Sequence, residues 1–425
     1  MRSGLFASFA VLLASAGLAL AEAPRVPASA GSTTDGTCAA PSEPCMPTCS
    51  SCCDTNFWLN GEYLLWWFKD SPLPVPLLQT ATTNTFSIGP QGGPVILLGN
   101  HDIETHDGHS GARFTGGYWL DCDHTFGLEG NYFFLGSRTT NQRVISNSQG
   151  GPPSTVIPFI NAATGMASSF PLATSDVTTG SALVSLTSRL QGAEANAILH
   201  SYCDPGWNVT LLGGFRFLDL NERLVFATAS TGIESTDLPG SNNGEIFNRL
   251  DNFNTRNLFY GGQIGARANY CCGDWSIGVA GKVAFGDMEE HVTIRGTTIT
   301  NEFNTTAGGP FTGVATQTVK GIGNFAQPSN VGHRERGRFA VVPEGSLTVA
   351  YHLTCHIAFT MGYDFLYLSK VVRPGNQIDG AISTSQTLQN LAAGGTFAEG
   401  AHPAFRFHET DFWAQGLTVG VQLRY

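Results

Sequence analysis

The stretch Asp411-Phe412-Trp413-Ala414-Gln415-Gly416-Leu417-Thr418-Val419-Gly420-Val421-Gln422-Leu423-Arg424-Tyr425 decides the fold. Trp413, Leu417, Val419, Val421, Leu423 and Tyr425 alternate with Gly416, Thr418, Gly420, Gln422 and Arg424. Side chains of a strand point to opposite faces with a period of two, so this pattern puts one face in an apolar medium and the other in a polar one. A final amphipathic strand ending on an aromatic residue is the expected address for bacterial barrel-assembly machinery. Soluble β-sandwiches also end in strands, so the rest of the chain must decide.

Working outward, the same grammar recurs from Phe57 onward. Phe57, Leu59, Tyr63, Leu65 and Trp67 share a face opposite Asn60 and Glu62. Phe114, Tyr118 and Leu120 run to a turn at Cys122-Asp123, and Phe126, Leu128, Tyr132 and Phe134 return with Glu129 and Asn131 opposite. Residues 184–201 and 206–230 turn at Cys203-Asp204-Pro205, 256–270 and 275–299 at Cys272-Gly273-Asp274, and 337–352 and 356–372 near Cys355. With the last strand from about 411 to 425, these segments give ten strands.

Two segments, 206–230 and 275–299, exceed the roughly 9–11 residues that cross a bilayer. They either project beyond it or hide turns near Asn221 and Asp287, which would give twelve strands. Ten is expected, because the extra turns would move the 231–255 loop and the Cys271-Cys272 turn to the wrong sides. Short turns alternate with long loops at roughly 70–110, 138–183, 231–255, 300–336 and 373–410. This asymmetry predicts a transmembrane antiparallel up-and-down β-barrel with periplasmic turns and extracellular loops.

Composition agrees. Charged residues make up 13% of the 425, against about 25% in soluble domains, while 51 are glycine and 11% aromatic. Mean hydropathy is close to zero, so the apolar residues are interleaved with polar ones rather than gathered into spanning helices. The net charge of −11 lacks the clustered Lys and Arg of a nucleic-acid partner. Arg2, the apolar run Leu5–Leu20 and Ala19-Leu20-Ala21 predict a signal peptide over residues 1–21. Residues 22–56, rich in Cys and Pro, are expected to form a periplasmic segment, and 57–425 the barrel.

Several phrases resemble the outer-membrane β-barrel porin family of planctomycete bacteria (BBP7-type). They are Phe57-Trp58-Leu59-Asn60-Gly61-Glu62-Tyr63-Leu64-Leu65-Trp66-Trp67, Gly192-Ala193-Glu194-Ala195-Asn196, and Gly214-Phe215-Arg216-Phe217-Leu218-Asp219-Leu220. To these add Asn257-Leu258-Phe259-Tyr260-Gly261-Gly262-Gln263-Ile264-Gly265, Gly281-Lys282-Val283-Ala284, Gly362-Tyr363-Asp364-Phe365-Leu366-Tyr367-Leu368, Val372-Arg373-Pro374-Gly375 and Ile378-Asp379. The resemblance implies an outer-membrane location and a porin role, and supplies no substrate or catalytic residue.

If the strand phases hold, Glu62, Glu129, Glu194, Glu344 and Asp364 share the lumen with Arg113, Arg216, Arg267 and Lys282. Unpaired charges are costly inside a narrow barrel, so these either form a filling salt-bridge network or a wetted, solute-selecting constriction. Cys122, Cys203, Cys271, Cys272 and Cys355 fall at the short turns, and Cys38, Cys45, Cys49, Cys52 and Cys53 precede the first strand. In an oxidising periplasm they are expected to make disulfide staples. Cys49-x-x-Cys52 has zinc-ligand spacing, but no paired histidines follow at finger spacing. The loop His101-Asp102-Ile103-Glu104-Thr105-His106-Asp107-Gly108-His109 carries metal-ligand and acid–base residue types, as hydrophilic loops do by default. Gly108-His109-Ser110-Gly111 fails as a nucleophile elbow because residue 112 is Ala.

No metal, cofactor or catalytic residue is therefore expected, and the protein is read as a non-enzyme in contact with outer-membrane lipid. A porin or small-solute channel is the first expectation. A non-conducting structural or surface-interaction barrel with a salt-bridged lumen is the second, and an outer-membrane hydrolase using loop Asp and His residues the third.

Overall fold

The computed structural model describes residues 56–81, 94–105, 107–146, 154–174, 178–204, 206–232, 246–302, 316–386 and 402–425. Its strands are β1 Phe57–Phe68, β2 Pro76–Ala81, β3 Ile96–Gly99, β4 His109–Trp119, β5 Phe126–Ser146, β6 Ser154–Asn161, β7 Ala167–Ala173 and β8 Thr178–Asp204. They continue as β9 Trp207–Gly232, β10 Ile246–Cys272, β11 Trp275–Glu302, β12 Thr316–Lys320, β13 Gly332–His352, β14 Ile357–Val372, β15 Ala381–Ile382 and β16 Glu409–Arg424.

Ten of these close into a ring in the order β1-β4-β5-β8-β9-β10-β11-β13-β14-β16. Every contact around it is antiparallel, and β16 returns to β1 with Leu65 opposite Leu417 and Leu59 opposite Leu423. The first and last barrel segments thus seal the cylinder, leaving neither edge open. Asn221 and Asp287 lie mid-strand, paired with Arg256 and Tyr260 respectively, so the long segments project as continuous hairpins rather than turning back.

The outward face carries the apolar alternates. Leu59, Tyr63, Phe114, Leu128, Phe215, Ile264, Val279, Phe285, Leu347, Phe359, Met361 and Val419 are exposed. An unbroken belt of exposed apolar side chains around a closed cylinder is the surface a bilayer covers. Trp67, Phe134, Phe285 and Leu423 are exposed or half-exposed on it, so they are not buried between stacked sheets. Beside the short turns the belt ends in aromatic pairs: Trp207 with Tyr270, and Trp275 with Tyr351, each with ring centroids 4.9 Å apart. That girdle marks one membrane interface. The tight turn between β10 and β11 needs Gly273, at φ +60°, where a side chain would strain the backbone.

Beyond the belt the tall strands and their loops build a second body. β2, β3, β6, β7 and β15, all from segments expected to be irregular, form a small sheet, and β12 extends β11. Leu73, Leu77, Leu78 and Ile103 from the first loop, Ile157, Phe159 and Leu172 from the second, Phe325 from the fourth and Ile378 and Ile382 from the fifth pack on inward Val184, Leu224, Phe226, Phe253 and Ile294. These loops fold over and into the extracellular end of the cylinder instead of standing in solvent.

Ile264, 66% exposed, lies between Tyr260 and Tyr270 on the lipid face, whereas Leu250 on the same strand faces outward above the belt. Ile264→Arg is expected to cost about 2–4 kcal/mol in a denaturant titration of the vesicle-embedded protein, and Leu250→Arg about 0–1.

Candidate functional site

The interior begins at the periplasmic half with a charged tier. Strand register sets its local pairs: Glu62 opposite Arg113, Glu194 opposite Arg216, and Lys282 opposite Glu344. Longer bonds then cross the lumen. Arg113 Nη2 reaches Glu62 Oε1 at 3.1 Å and Asp364 Oδ2 at 3.2 Å. Arg267 forks onto Glu129 at 3.1 and 2.9 Å, three strands away round the ring. Arg216 bonds Glu344 and lies 3.6 Å from Glu194. Lys282 Nζ bridges Glu194 at 2.9 Å and Glu344 at 2.8 Å.

Gln263 Nε2 donates to Glu194 at 2.9 Å and to Asn196 Oδ1 at 2.6 Å. All nine ionisable side chains expected in the lumen are therefore gathered in ion pairs there, five carboxylates against four cations.

Above this tier the lumen turns apolar, which corrects the expectation of a polar interior throughout. Leu64, Trp66, Phe68, Phe133, Leu190, Leu218, Phe259, Met288, Val342, Leu366, Leu368 and Phe412 form one buried cluster. Its members come from every ring strand except β4, and β4 adds His109, whose ring stacks on Phe68 with centroids 3.7 Å apart. The packing is tight enough that a Cβ at Gly192 would lie 2.5 Å from Phe133 and 2.6 Å from Leu218. The signal was in the sequence. Tyr63-Leu64-Leu65-Trp66-Trp67-Phe68, Tyr132-Phe133-Phe134-Leu135 and Phe365-Leu366-Tyr367-Leu368 are apolar on both faces, so alternation fails where the interior dries.

Buried polar anchors then hold the loops. Arg373, fully buried, makes a fork with Glu222 at 2.7 and 2.7 Å and donates to the Lys69 and Asp70 carbonyls. Asn257 exchanges two bonds with the Val372 backbone, at 2.9 and 2.8 Å. Asp251 accepts the backbone N–H groups of Asn324, Phe325 and Ala326 at 3.0, 2.9 and 2.7 Å. Burial pushes its carboxyl above the ordinary aspartate range, and the three donors work against that shift by favouring the charged form. Sequence reasoning missed these anchors because each joins a strand to a loop distant in sequence, with no local pattern.

The histidine-containing first loop does not assemble a site among the described residues. His101 Nδ1 meets the Gly99 carbonyl at 2.7 Å, Asp107 pairs with Arg138 at 2.8 Å, and His109 is buried. His106 lies outside the described residues. Of the turn cysteines, Cys122 and Cys271 are engaged, whereas Cys272 and Cys355 are free thiols. The staple expected at those two positions is not made. Adjacent strand residues point to opposite faces, so Cys271 turns inward and is buried while Cys272 faces out. Cys355 Sγ sits instead 3.3 Å from His356 Nδ1. The Cys203 side chain and Cys38, Cys45, Cys49, Cys52 and Cys53 lie outside the described residues.

Residues 58–425, the whole ring with its loops, match the family model described as "Putative beta barrel porin-7 (BBP7)". The chain belongs to the BBP7 family. It is an outer-membrane β-barrel. Among solved structures, it is similar to the outer membrane protease OmpT from Escherichia coli, at 8% identity over 87% of this chain and 97% of that one, with a TM-score of 0.41. It is also similar to the P. putida toluene transporter TodX, at 8% identity over 90% and 93%, with a TM-score of 0.14. No curated protein matches the sequence.

Two anchors of this BBP7 barrel give separable outcomes. Glu222→Gln strands the buried Arg373 guanidinium and is expected to destabilise by about 3–5 kcal/mol in denaturant, while a Glu222→Leu, Arg373→Met pair costs less. Asp251→Ala is expected to leave the β-sheet circular dichroism unchanged and to open residues 321–331 to limited proteolysis.

Proposed function

We propose that this protein works as a sealed outer-membrane barrel that fixes a folded platform of loops on the cell surface, rather than as an open channel. The apolar tier carries this reading. Leu64, Leu190, Leu218, Phe259, Met288, Leu366 and Phe412 have no solvent-accessible surface although they point into the lumen. A water-filled pore at that height would wet them.

The charged tier supports the same view. A selecting constriction presents charge of one sign, whereas here cations and carboxylates neutralise one another across the lumen. Ten strands also stand near the roughly eight at which side chains fill a cylinder, far from the 16–18 of open porins. The rival channel reading rests on the family's description. A hydrolase has less behind it, since Asp107 and His109 are committed to Arg138 and Phe68.

In this reading the signal peptide exports the chain and β16 presents it to the assembly machinery. Cys122 and Cys271 staple the periplasmic rim.

Planar-bilayer recording tests the proposal. Wild-type protein is expected to insert without conductance steps, and a Trp66→Ala, Phe259→Ala variant to conduct, because it opens the tier. Discrete steps from the wild type would restore the channel.

A further inference from the structure

On the outer wall, β11 and β13 bring two dipeptide-spaced pairs together. Glu289 and His291 are two residues apart on one strand, His333 and Glu335 on the other, so each pair shares a face. Register puts His291 opposite Glu335 and Thr293 opposite His333. The intervening Glu290, Val292 and Ile294 are buried inward, which leaves this cluster facing out. His291 lies six residues beyond lipid-facing Phe285, and His333 six residues before Phe339. Phe339 lies opposite Asp287, four residues short of His291, so at about 3.4 Å per residue the cluster stands roughly 14–20 Å along the strand above the apolar belt, in water on the extracellular side.

The ligating atoms of His291, His333 and Glu335 all lie within 4.8 Å of one another. Glu335 Oε2 is 3.5 Å from His291 Nδ1 and 3.7 Å from His333 Nε2. These gaps are too long for charge-assisted hydrogen bonds, which run at about 2.7–2.9 Å. They are close to the edge of a coordination tetrahedron, about 3.4 Å for metal–ligand bonds near 2.1 Å.

The surroundings orient the ligands. Thr293 Oγ1 is 2.9 Å from His333 Nδ1, and a hydroxyl accepting that proton leaves the lone pair on Nε2. The Glu289 carboxylate, 3.8 Å from His291 Nε2, is beyond hydrogen-bond reach and adds negative charge beside the cluster. Arg256, the cation opposite His291 on β10, is forked onto Asp219 at 2.9 and 2.9 Å and does not neutralise the cluster.

We propose that His291, His333 and Glu335 bind a zinc-class divalent cation on the extracellular flank of the barrel, with Thr293 as a positioning residue. Two imidazoles and one carboxylate are a borderline donor set suited to zinc, and three protein ligands leave a fourth position for water. The site does not depend on whether the lumen conducts.

The test is zinc and cobalt titration of the detergent-solubilised full chain, chelator-stripped and with its thiols alkylated so that cysteine cannot contribute. One zinc per chain is expected, with cobalt giving visible ligand-field bands. His333→Ala and Glu335→Gln are each expected to weaken binding by more than tenfold and Thr293→Val by about tenfold, with His101→Ala unchanged. All variants should keep the wild-type β-sheet circular dichroism. Absence of uptake by the alkylated protein, or uptake that His333→Ala and Glu335→Gln leave intact, overturns the proposal.

Discussion

Everything in this protein depends on the closure of the β16–β1 seam. In hydrocarbon an unpaired backbone N–H or C=O costs several kcal/mol, so a sheet can live there only as a ring with no edge. Pairing of Trp58 through Phe68 with Ala414 through Arg424 supplies that closure. Once the ring is closed, alternate side chains are committed to opposite sides, and register decides which residues meet. Ion pairs such as Glu194 with Arg216 are consequences of register before they are electrostatic choices. A one-residue slip of β9 would turn Arg216 into lipid and leave Glu194 without its partner.

The charged tier then poses a problem of its own. Charges removed from water gain only where each finds a partner, and the break-even is narrow. Here the solution is collective: Lys282 serves two glutamates, and Arg216 lies against the same two. Arg267 and Glu129 meet across the lumen. Bonds that span the cylinder also brace it against flattening, which wall-to-wall backbone pairing alone does not prevent.

Strand number, turn positions and inward phase were legible because a period-two pattern has a direct geometric meaning. Glu62 between Gly61 and Tyr63, or Arg216 between Phe215 and Phe217, reads as a polar alternate whatever the fold beyond it. Two things were less accessible. The apolar tier breaks the alternation: Leu64 and Trp66 fall on the Glu62 face, where a polar residue is expected, and only the closed ring shows them enclosed. The loops carry no periodicity, and their order arises from contacts such as Arg373 with Glu222 that join residues 151 apart. The extracellular cluster escaped for a related reason: His291 and His333 are ordinary isolated histidines until β11 and β13 pair.

The apolar tier and the loop anchors are one device. A cylinder of ten strands is wider than its own wall side chains can comfortably fill at every height, and an unfilled end would admit water to the buried charges. Trp66, Phe133, Phe259 and Phe412 use the largest side chains at the level where the wall alone must fill the space. Higher up, where the strands rise past the bilayer, filling passes to chain segments from the loops, fixed by Arg373, Asn257 and Asp251 at their points of entry. Each anchor satisfies backbone groups that entry into the cylinder strips of water, so the loops can enter only where such a residue waits. The arrangement of the loops is therefore set from inside the barrel: the anchors Glu222, Asn257 and Asp251 that hold them stand on the same strands as residues that fill the lumen below.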